Sequence, residues 1–261
     1  MIDDIDFSDI TQALENCVNI SNLQLHFGND EFNDENLILL SKSLENMNLY
    51  SLILYIRFSA ISNYGVSALG YSLKELPYLS NLTLDLYNNK IKSQGLSDLW
   101  SILQRQNQLQ SFTLKLAYNS ITSEDLIDSI QGFEIITNTS TLNLNFLNNQ
   151  IYDGGLKRLA SFIELFSNLS ILELQLDFYL YSCDIQKELF TSLKKCSKLS
   201  YLNLGLFSHE VNYSSLYFGI KDLIQVVVLI LNQQFPVNFN TYLWRANIFK
   251  QKKLVKFSLM N

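Results

Sequence analysis

The sequence predicts an α/β solenoid, a horseshoe in which about nine parallel strands form a concave sheet and helices pack on its convex side. One observation is a period of 30 residues, since apolar strand starts recur in steps of 30 at Leu82, Phe112, Leu142, Leu172 and Leu202. Another is that each start opens an apolar–polar alternation, as in LTLDL from position 82. A fixed period of this size is typical of stacked strand–helix units. Earlier starts at Leu52 and Leu23 extend the series.

The clearest unit spans residues 79–108. Its strand has leucines at alternate positions, which point to one side of the sheet. These are Leu82, Leu84 and Leu86. After a turn at Gly95, its helix has leucines three or four positions apart, which form one apolar face. These are Leu96, Leu99 and Leu103. Each face is buried only when further units stack above and below it.

An asparagine recurs in the turn after the strand, at Asn89, Asn119 and Asn149. An inward amide can hydrogen-bond backbone groups of the turn and bridge to the next coil, so that buried amides are not left unpaired. The same column is occupied elsewhere by other residues: Asp30, Ser59, Tyr179 and His209. The central coils are therefore predicted to be the most regular.

The chain is predicted to form one domain over 1–261, with an N-terminal cap (1–19), regular repeats (20–222) and irregular C-terminal repeats with a cap (223–261). Ser8 to Cys17 should form the capping helix. The segment 210–221 is about six residues short for a repeat helix. The next strand is then expected to start at Val226, in the position of Leu202. A helix over 238–251 should follow, and then a last strand, LVKFSLMN, with Phe257 in the same position as Val226.

The repeated pattern LxxLxLxLxxNxIxxxGLxxL resembles the leucine-rich repeat family, specifically its ribonuclease-inhibitor-like class. The segment LSNLTLDLYNNKI, with its extra apolar position Leu86, and the Asn-, Ser- and Tyr-rich composition are similar to ciliate-type leucine-rich repeat proteins. The resemblance covers about residues 15–261 and implies a protein-binding role. Some members of that family carry kinase labels, but the sequence has no GxGxxG loop, HRD or DFG, so no kinase activity is carried over.

Composition restricts the classes of partner. The net charge of −6 disfavours nucleic acid, and the longest apolar run, LIQVVVLIL at 223–231, is too short to cross a membrane, so we expect neither. The acidic start MIDDIDFSDI lacks the basic segment of a signal peptide. Three cysteines are too few for a disulfide framework. These features predict a cytoplasmic protein, and the resemblance adds a ciliary or cytoskeletal assembly as the narrower expectation.

The sequence offers little chemistry for catalysis. His26 and His209 fall in coils six inter-strand steps apart, about 29 Å, so they cannot share a metal or a proton. Cys17 and Cys196 occupy a packing column before strand starts, and Cys183 is expected in the turn after the sixth strand. No metal-ligand spacing, phosphate loop or nucleophile motif occurs. We therefore expect no enzymatic activity, no cofactor, no metal and no small-molecule substrate.

The concave face carries the candidate binding residues, which lie between the inward leucines of each strand. They are Ile53, Tyr55, Arg57, Asp85, Tyr87, Lys115, Asn145, Leu147, Glu173, Asp177 and Phe207. Several are larger and more apolar than solvent requires, and aromatic and Arg side chains suit an interface. Asp85 and Lys115 should form an exposed cross-strand pair worth about 0–1 kcal/mol. Four C-terminal lysines, Lys250, Lys252, Lys253 and Lys256, are interpreted as a solvated edge, with an anionic protein surface as the alternative.

The favoured function is a non-enzymatic scaffold that docks onto a protein partner, as a subunit of a larger assembly. The alternative is a regulator of an enzyme, either an inhibitor or a small-GTPase activator, with Arg57 as its finger or anchor. An inhibitor of a basic nuclease should have an acidic concave face, and Asp85, Glu173 and Asp177 are sparse for that role.

Overall fold

A computed structural model describes residues 7–17, 19–28, 32–134, 138–177, 181–206, 223, 228–232 and 254–258. Strands and helices alternate from the first helix to the seventh strand. The elements are α1 (Phe7–Glu15), β1 (Asn22–Gly28), α2 (Asp34–Leu44), β2 (Ser51–Arg57), α3 (Asn63–Leu73), β3 (Asn81–Asp85), α4 (Ser93–Arg105), β4 (Ser111–Lys115), α5 (Ser123–Ser129), β5 (Thr141–Asn145), α6 (Asp153–Ile163), β6 (Ile171–Leu176), α7 (Cys183–Lys195), β7 (Tyr201–Leu206), β8 (Val228–Asn232) and β9 (Leu254–Ser258).

All strands lie in one parallel sheet whose spatial order is the chain order, β1 to β9. The register confirms the period, because Leu52 lies opposite Leu82 and Leu82 lies opposite Phe112. Strand and helix alternate through β7, and β8 and β9 extend the sheet beyond it. The fold is therefore a leucine-rich-repeat-like solenoid.

The predicted register of the last strands is wrong. Leu202 lies opposite Leu229, not Val226, and Leu229 lies opposite Val255, not Phe257. The run LIQVVVLIL is apolar at almost every position, so alternation cannot set its register. Three predicted features lie outside the described residues: the helix over 238–251, the short segment 210–221 and the three lysines before β9. Lys256 lies within β9.

The core lies between the sheet and the helices, as predicted. Leu82, Leu84 and Leu86 are all buried, and so is the inward face of α4, including Trp100. Burying one such side chain stabilises the fold by about 1.5–3 kcal/mol. The buried apolar residues of successive coils form one continuous cluster, which makes the stack cooperative.

The predicted asparagine ladder is confirmed at its three positions. Asn119 shows the pattern: its Oδ1 accepts from the backbone N–H of Ile91 at 3.1 Å, and its Nδ2 donates to the carbonyl of Leu86 at 2.9 Å. Asn89 and Asn149 make the equivalent bonds one coil earlier and one coil later. Each amide thus joins its own turn to the preceding coil.

A second ladder joins the helix starts. Asp34, the first residue of α2, accepts hydrogen bonds at Oδ1 from the backbone N–H groups of Ser62 (2.9 Å) and Gly65 (3.2 Å) at the start of α3. Asn63 does the same for Lys92 and Gly95 at the start of α4. Helix starts have unpaired N–H groups, and here the preceding coil satisfies them.

The predicted N-terminal helix is confirmed as α1. It packs against α2, and the Phe7 ring contacts Phe27 (5.5 Å between centroids) and Phe32 (5.2 Å). The inward residues of β1 are only half-buried, as expected at the end of a stack. Within the described part of the chain, no helix is long and apolar enough to span a bilayer.

Candidate functional site

The sheet face turned away from the helices, predicted to be concave, is called the open face here. The structure places most predicted binding residues on it with half-buried side chains: Ile53, Tyr55, Tyr87, Lys115, Asn145, Leu147 and Glu173. Arg57 is exposed, whereas Asp85 and Asp177 are buried. Phe207 and His209 lie outside the described residues.

Arg57, Asp85 and Lys115 form one ion cluster across β2, β3 and β4. Arg57 Nη2 lies 2.5 Å and Lys115 Nζ 3.5 Å from the same oxygen, Asp85 Oδ2. The predicted Asp85–Lys115 cross-strand pair is therefore present, but Asp85 is only 1% exposed, so the predicted exposure of the pair is wrong. The neighbouring side chains cover the short aspartate, although it points to the open face. The hydrogen bond to Asp85 raises the pKa of Arg57 further above its already high ordinary value.

Asp177 was predicted as a binding residue on the concave face, but its side chain is not exposed there. It is buried and accepts a 2.5 Å hydrogen bond at Oδ2 from the backbone N–H of Asn148 in the preceding coil. Burial raises the pKa of Asp177, while the backbone hydrogen bonds from Asn148 and Asn149 act in the opposite direction. Its evident role is to hold the turn after β5.

A shallow groove of about 470 Å³ lies at the end of β1 and β2. His26 and Tyr55 stack there with ring centroids 4.2 Å apart and planes 18° apart, and Arg57 lies over the Tyr55 ring at 5.5 Å. The groove is lined by His26, Phe27, Gly28, Tyr55, Arg57 and Phe58. His26 thus stacks on a predicted binding residue, which the sequence did not predict.

Three rings continue this surface along the carboxyl ends of β2, β3 and β4, and we call them the aromatic ridge: Phe58, Tyr87 and Tyr118. Tyr87 lies between the other two, with centroids 5.0 Å from each. Phe58 is 52% exposed and Tyr118 is 46% exposed. Large rings in contact with one another and with solvent are typical of interface hot spots.

The backbone of the ridge is strained. Phe58 and Tyr118 have φ values of 55° and 61°, in the left-handed region. The equivalent residues of the alternate coils are Asn88 (φ 53°) and Asn148 (φ 55°), and asparagine tolerates this conformation. A bulky residue there costs about 1–2 kcal/mol. This column thus places asparagine in two coils and a large ring in two others, at the same left-handed backbone position.

The other half of the open face is polar. Asn143 Nδ2 donates to Glu173 Oε2 at 2.9 Å across β5 and β6, and Asn145 Oδ1 accepts from the backbone N–H of Leu147 at 3.0 Å. Both amides are already engaged in bonds within the sheet face. The exposed apolar and cationic groups thus concentrate on β1 to β4.

Candidate catalytic groups are not brought together in the residues that the structure describes. Cys196 is buried, and burial raises the pKa of its thiol to about 11. Cys183 begins α7 instead of lying in a turn, and Cys17 packs against the core. Among the described residues, no group of three His, Cys, Asp or Glu side chains is placed to hold a metal ion.

The comparisons with known proteins give little further guidance. No family model matches the chain, and no curated protein matches it either. Among solved structures, the chain is similar to "Leiomodin-1 Actin-Binding Site 2 (ABS2)", with 13% identity and a TM-score of 0.45 over 74% of this chain and 88% of that chain. This likeness is too distant to support an argument about function.

Proposed function

We propose that the protein is a non-enzymatic protein–protein interaction scaffold that binds its partner through the open face at β2, β3 and β4. The observation that carries this proposal is the aromatic ridge, because two exposed rings occupy left-handed backbone positions that favour asparagine. Backbone strain that folding does not require is a mark of functional positions. We extend the proposal to a subunit of a larger protein assembly, in line with the low charge and high aromatic content.

The mechanism is preorganisation. Tyr87 is held between Phe58 and Tyr118, and Arg57 is held by Asp85 and Tyr55, so these side chains have little freedom left to lose. Immobilising a flexible side chain at an interface costs about 0.5–1.5 kcal/mol, and this surface avoids much of that cost. The stacked coils keep the rings in place before the partner arrives.

Affinity capture with the native chain and with Tyr118→Asn tests this function. Asn is the residue that the alternate coils use at this position, so the variant should fold normally. The matched control is Tyr71→Ser on α3, which is 63% exposed and whose equivalent in the next coil is Ser101. We expect that Tyr118→Asn no longer captures the partners that the native chain captures in stoichiometric amounts, and that Tyr71→Ser still captures them. Equal capture by the two variants would overturn the proposal.

Regulation of an enzyme is the second candidate. Arg57 lies on the open face, but Asp85 binds its guanidinium at 2.5 Å, which favours an anchor over a finger that reaches into another active site. A GTPase activator would accelerate GTP hydrolysis by its target, and Arg57→Ala would abolish the acceleration. If the native chain does not accelerate GTP hydrolysis, the hypothesis of a GTPase activator is rejected.

For location, we propose the cytoplasm, and a ciliary or cytoskeletal assembly within it. The support is the resemblance of the repeat to ciliate-type leucine-rich repeat proteins. Imaging of the tagged full chain in its own cell tests this location directly.

A further inference from the structure

We infer that the partner presents a carboxylate next to an apolar side chain, with the carboxylate bound by Arg57 and Lys115 and the apolar group packed on the aromatic ridge. This inference rests on the proposed function and names the chemistry of the partner. It comes from the charges of the ion cluster and from its position beside the ridge.

The ion cluster has one positive charge in excess. Two cations share a single carboxylate oxygen, Asp85 Oδ2, while Asp85 Oδ1 accepts from the backbone N–H of Tyr87 at 3.4 Å. Among the described residues of β1 to β5, Asp85 is the only acidic one. This part of the open face is therefore positive, although the chain as a whole carries −6.

Both cations have unused donors that face solvent. The Arg57 side chain is 46% exposed and that of Lys115 is 35% exposed. A guanidinium has five N–H donors and an ammonium three, so one shared oxygen cannot satisfy them. A partner that covers them would remove their water, and an uncompensated cation in an interface is costly. A carboxylate from the partner would remove that cost.

The apolar half of the inference follows from the position of the rings. Phe58 follows Arg57 directly in the chain, and Tyr87 N–H binds the same aspartate that holds both cations. The ridge and the ion cluster therefore form one continuous surface. An acidic residue and an apolar residue close together in the partner would engage both parts at once.

Cations with aromatic rings also occur in sites for single-stranded nucleic acid. The net charge of −6 opposes a polyanion, because the field of the whole chain repels it. The ion cluster has a single net positive charge, which matches one carboxylate better than a run of phosphates. The observations favour a protein segment with an isolated carboxylate.

The test begins with a phage-displayed library of random dodecapeptides selected on the immobilised full chain. The strongest binder is then synthesised in two forms, one with its carboxylates and one with each carboxylate replaced by its amide. Dissociation constants are measured for the native chain, Lys115→Gln, Tyr118→Asn and Lys157→Gln. Lys157 is a matched control, because it pairs with Glu188 at 3.2 Å and its loss changes the net charge equally. Circular dichroism checks that each variant is folded.

We expect the selected peptides to carry Asp or Glu beside a large apolar residue. The amide form should bind the native chain about tenfold more weakly or worse, and Lys115→Gln should weaken the acidic form by a similar factor. Lys157→Gln should bind like the native chain.

Two results would separate the inference from the proposed function. If binding depends on Tyr118 but the acidic and amide peptides bind equally, the inference is wrong and the proposed function stands. If no selected peptide depends on Tyr118, both are wrong. Tighter Tyr118-dependent binding of a dodecamer of uridylate would also overturn the inference, in favour of nucleic acid.

Discussion

Replacing Asn119 by alanine should destabilise the central coils strongly, because the amide bridges two of them. Its Oδ1 accepts from Ile91 N–H at 3.1 Å, and its Nδ2 donates to the carbonyls of Leu86 at 2.9 Å and Leu116 at 3.0 Å. The Leu116 carbonyl keeps a second donor, Asn149 Nδ2 at 3.0 Å. Alanine would therefore leave two buried backbone groups without their partner: the Ile91 N–H and the Leu86 carbonyl.

The expected loss of stability follows from these two unpaired backbone groups. Each buried group that loses its partner costs about 1–3 kcal/mol, so Asn119→Ala should lower the free energy of unfolding by about 2–6 kcal/mol. The repeat supplies a control at the same position two coils earlier. Ser59 Oγ donates only to the Arg57 carbonyl, at 2.9 Å and within its own turn, so Ser59→Ala should cost about 1 kcal/mol.

Urea denaturation followed by far-ultraviolet circular dichroism measures both variants. The account requires Asn119→Ala to be clearly the less stable of the two. If the two variants unfold within about 0.5 kcal/mol of each other, the asparagines do not join the coils and the reasoning is refuted.

Three further comparisons test the interior by thermal and urea denaturation. Leu144→Asp should unfold the central coils, because it buries a charge without a partner, whereas Asn145→Asp, on the open face, should leave the melting temperature nearly unchanged. Gly65→Ala should destabilise by about 1–3 kcal/mol, because the new Cβ would lie 2.6 Å from a carboxylate oxygen of α2, whereas Gly154→Ala should stabilise by about 0.5–1 kcal/mol. Asp177→Asn should raise the free energy of unfolding at pH 7.

The sign of the Asp177 effect comes from proton linkage. Its folded-state pKa is raised, so the folded chain holds the proton more tightly than the unfolded chain does. The native protein therefore loses stability as the pH rises above the unfolded-state pKa of about 4, and the asparagine variant does not. The two should be closest in stability below pH 4. A gap that widens on acidification would contradict this sign.

The leucine–asparagine pair and the glycine pair of variants can each contradict the description of the interior. Similar melting of Leu144→Asp and Asn145→Asp would mean that the assignment of inward and outward residues is wrong. A stabilised Gly65→Ala would mean that α2 and α3 do not approach as closely as their contact at Asp34 indicates.

The interior was predictable because the period repeats. Seven strands, the buried leucines and the asparagine ladder follow from residues spaced by 30, and each is present. The second ladder was missed, although its column can be read in the sequence. It holds short polar side chains at Asp34, Asn63, Ser123 and Asp153, each able to cap the next helix start.

The open face was harder to predict, because alternation tells which side a residue points to but not what covers it. Asp85 points outward as predicted, yet its neighbours bury it. The aromatic ridge depends on φ values at Phe58 and Tyr118, and hydrophobic periodicity carries no information about these. The sequence did contain a usable signal, because the column that has asparagine at positions 88 and 148 has rings at positions 58, 118 and 178.

Hydrogen exchange of a complex with the captured partner tests the central claim most directly. Binding through the open face should slow amide exchange at the carboxyl ends of β2, β3 and β4, around residues 56–58, 86–88 and 116–118, and leave the outer helices unchanged. Slower exchange confined to α3 and its neighbouring helices, with these three turns unaffected, would contradict the claim that the partner docks on the aromatic ridge.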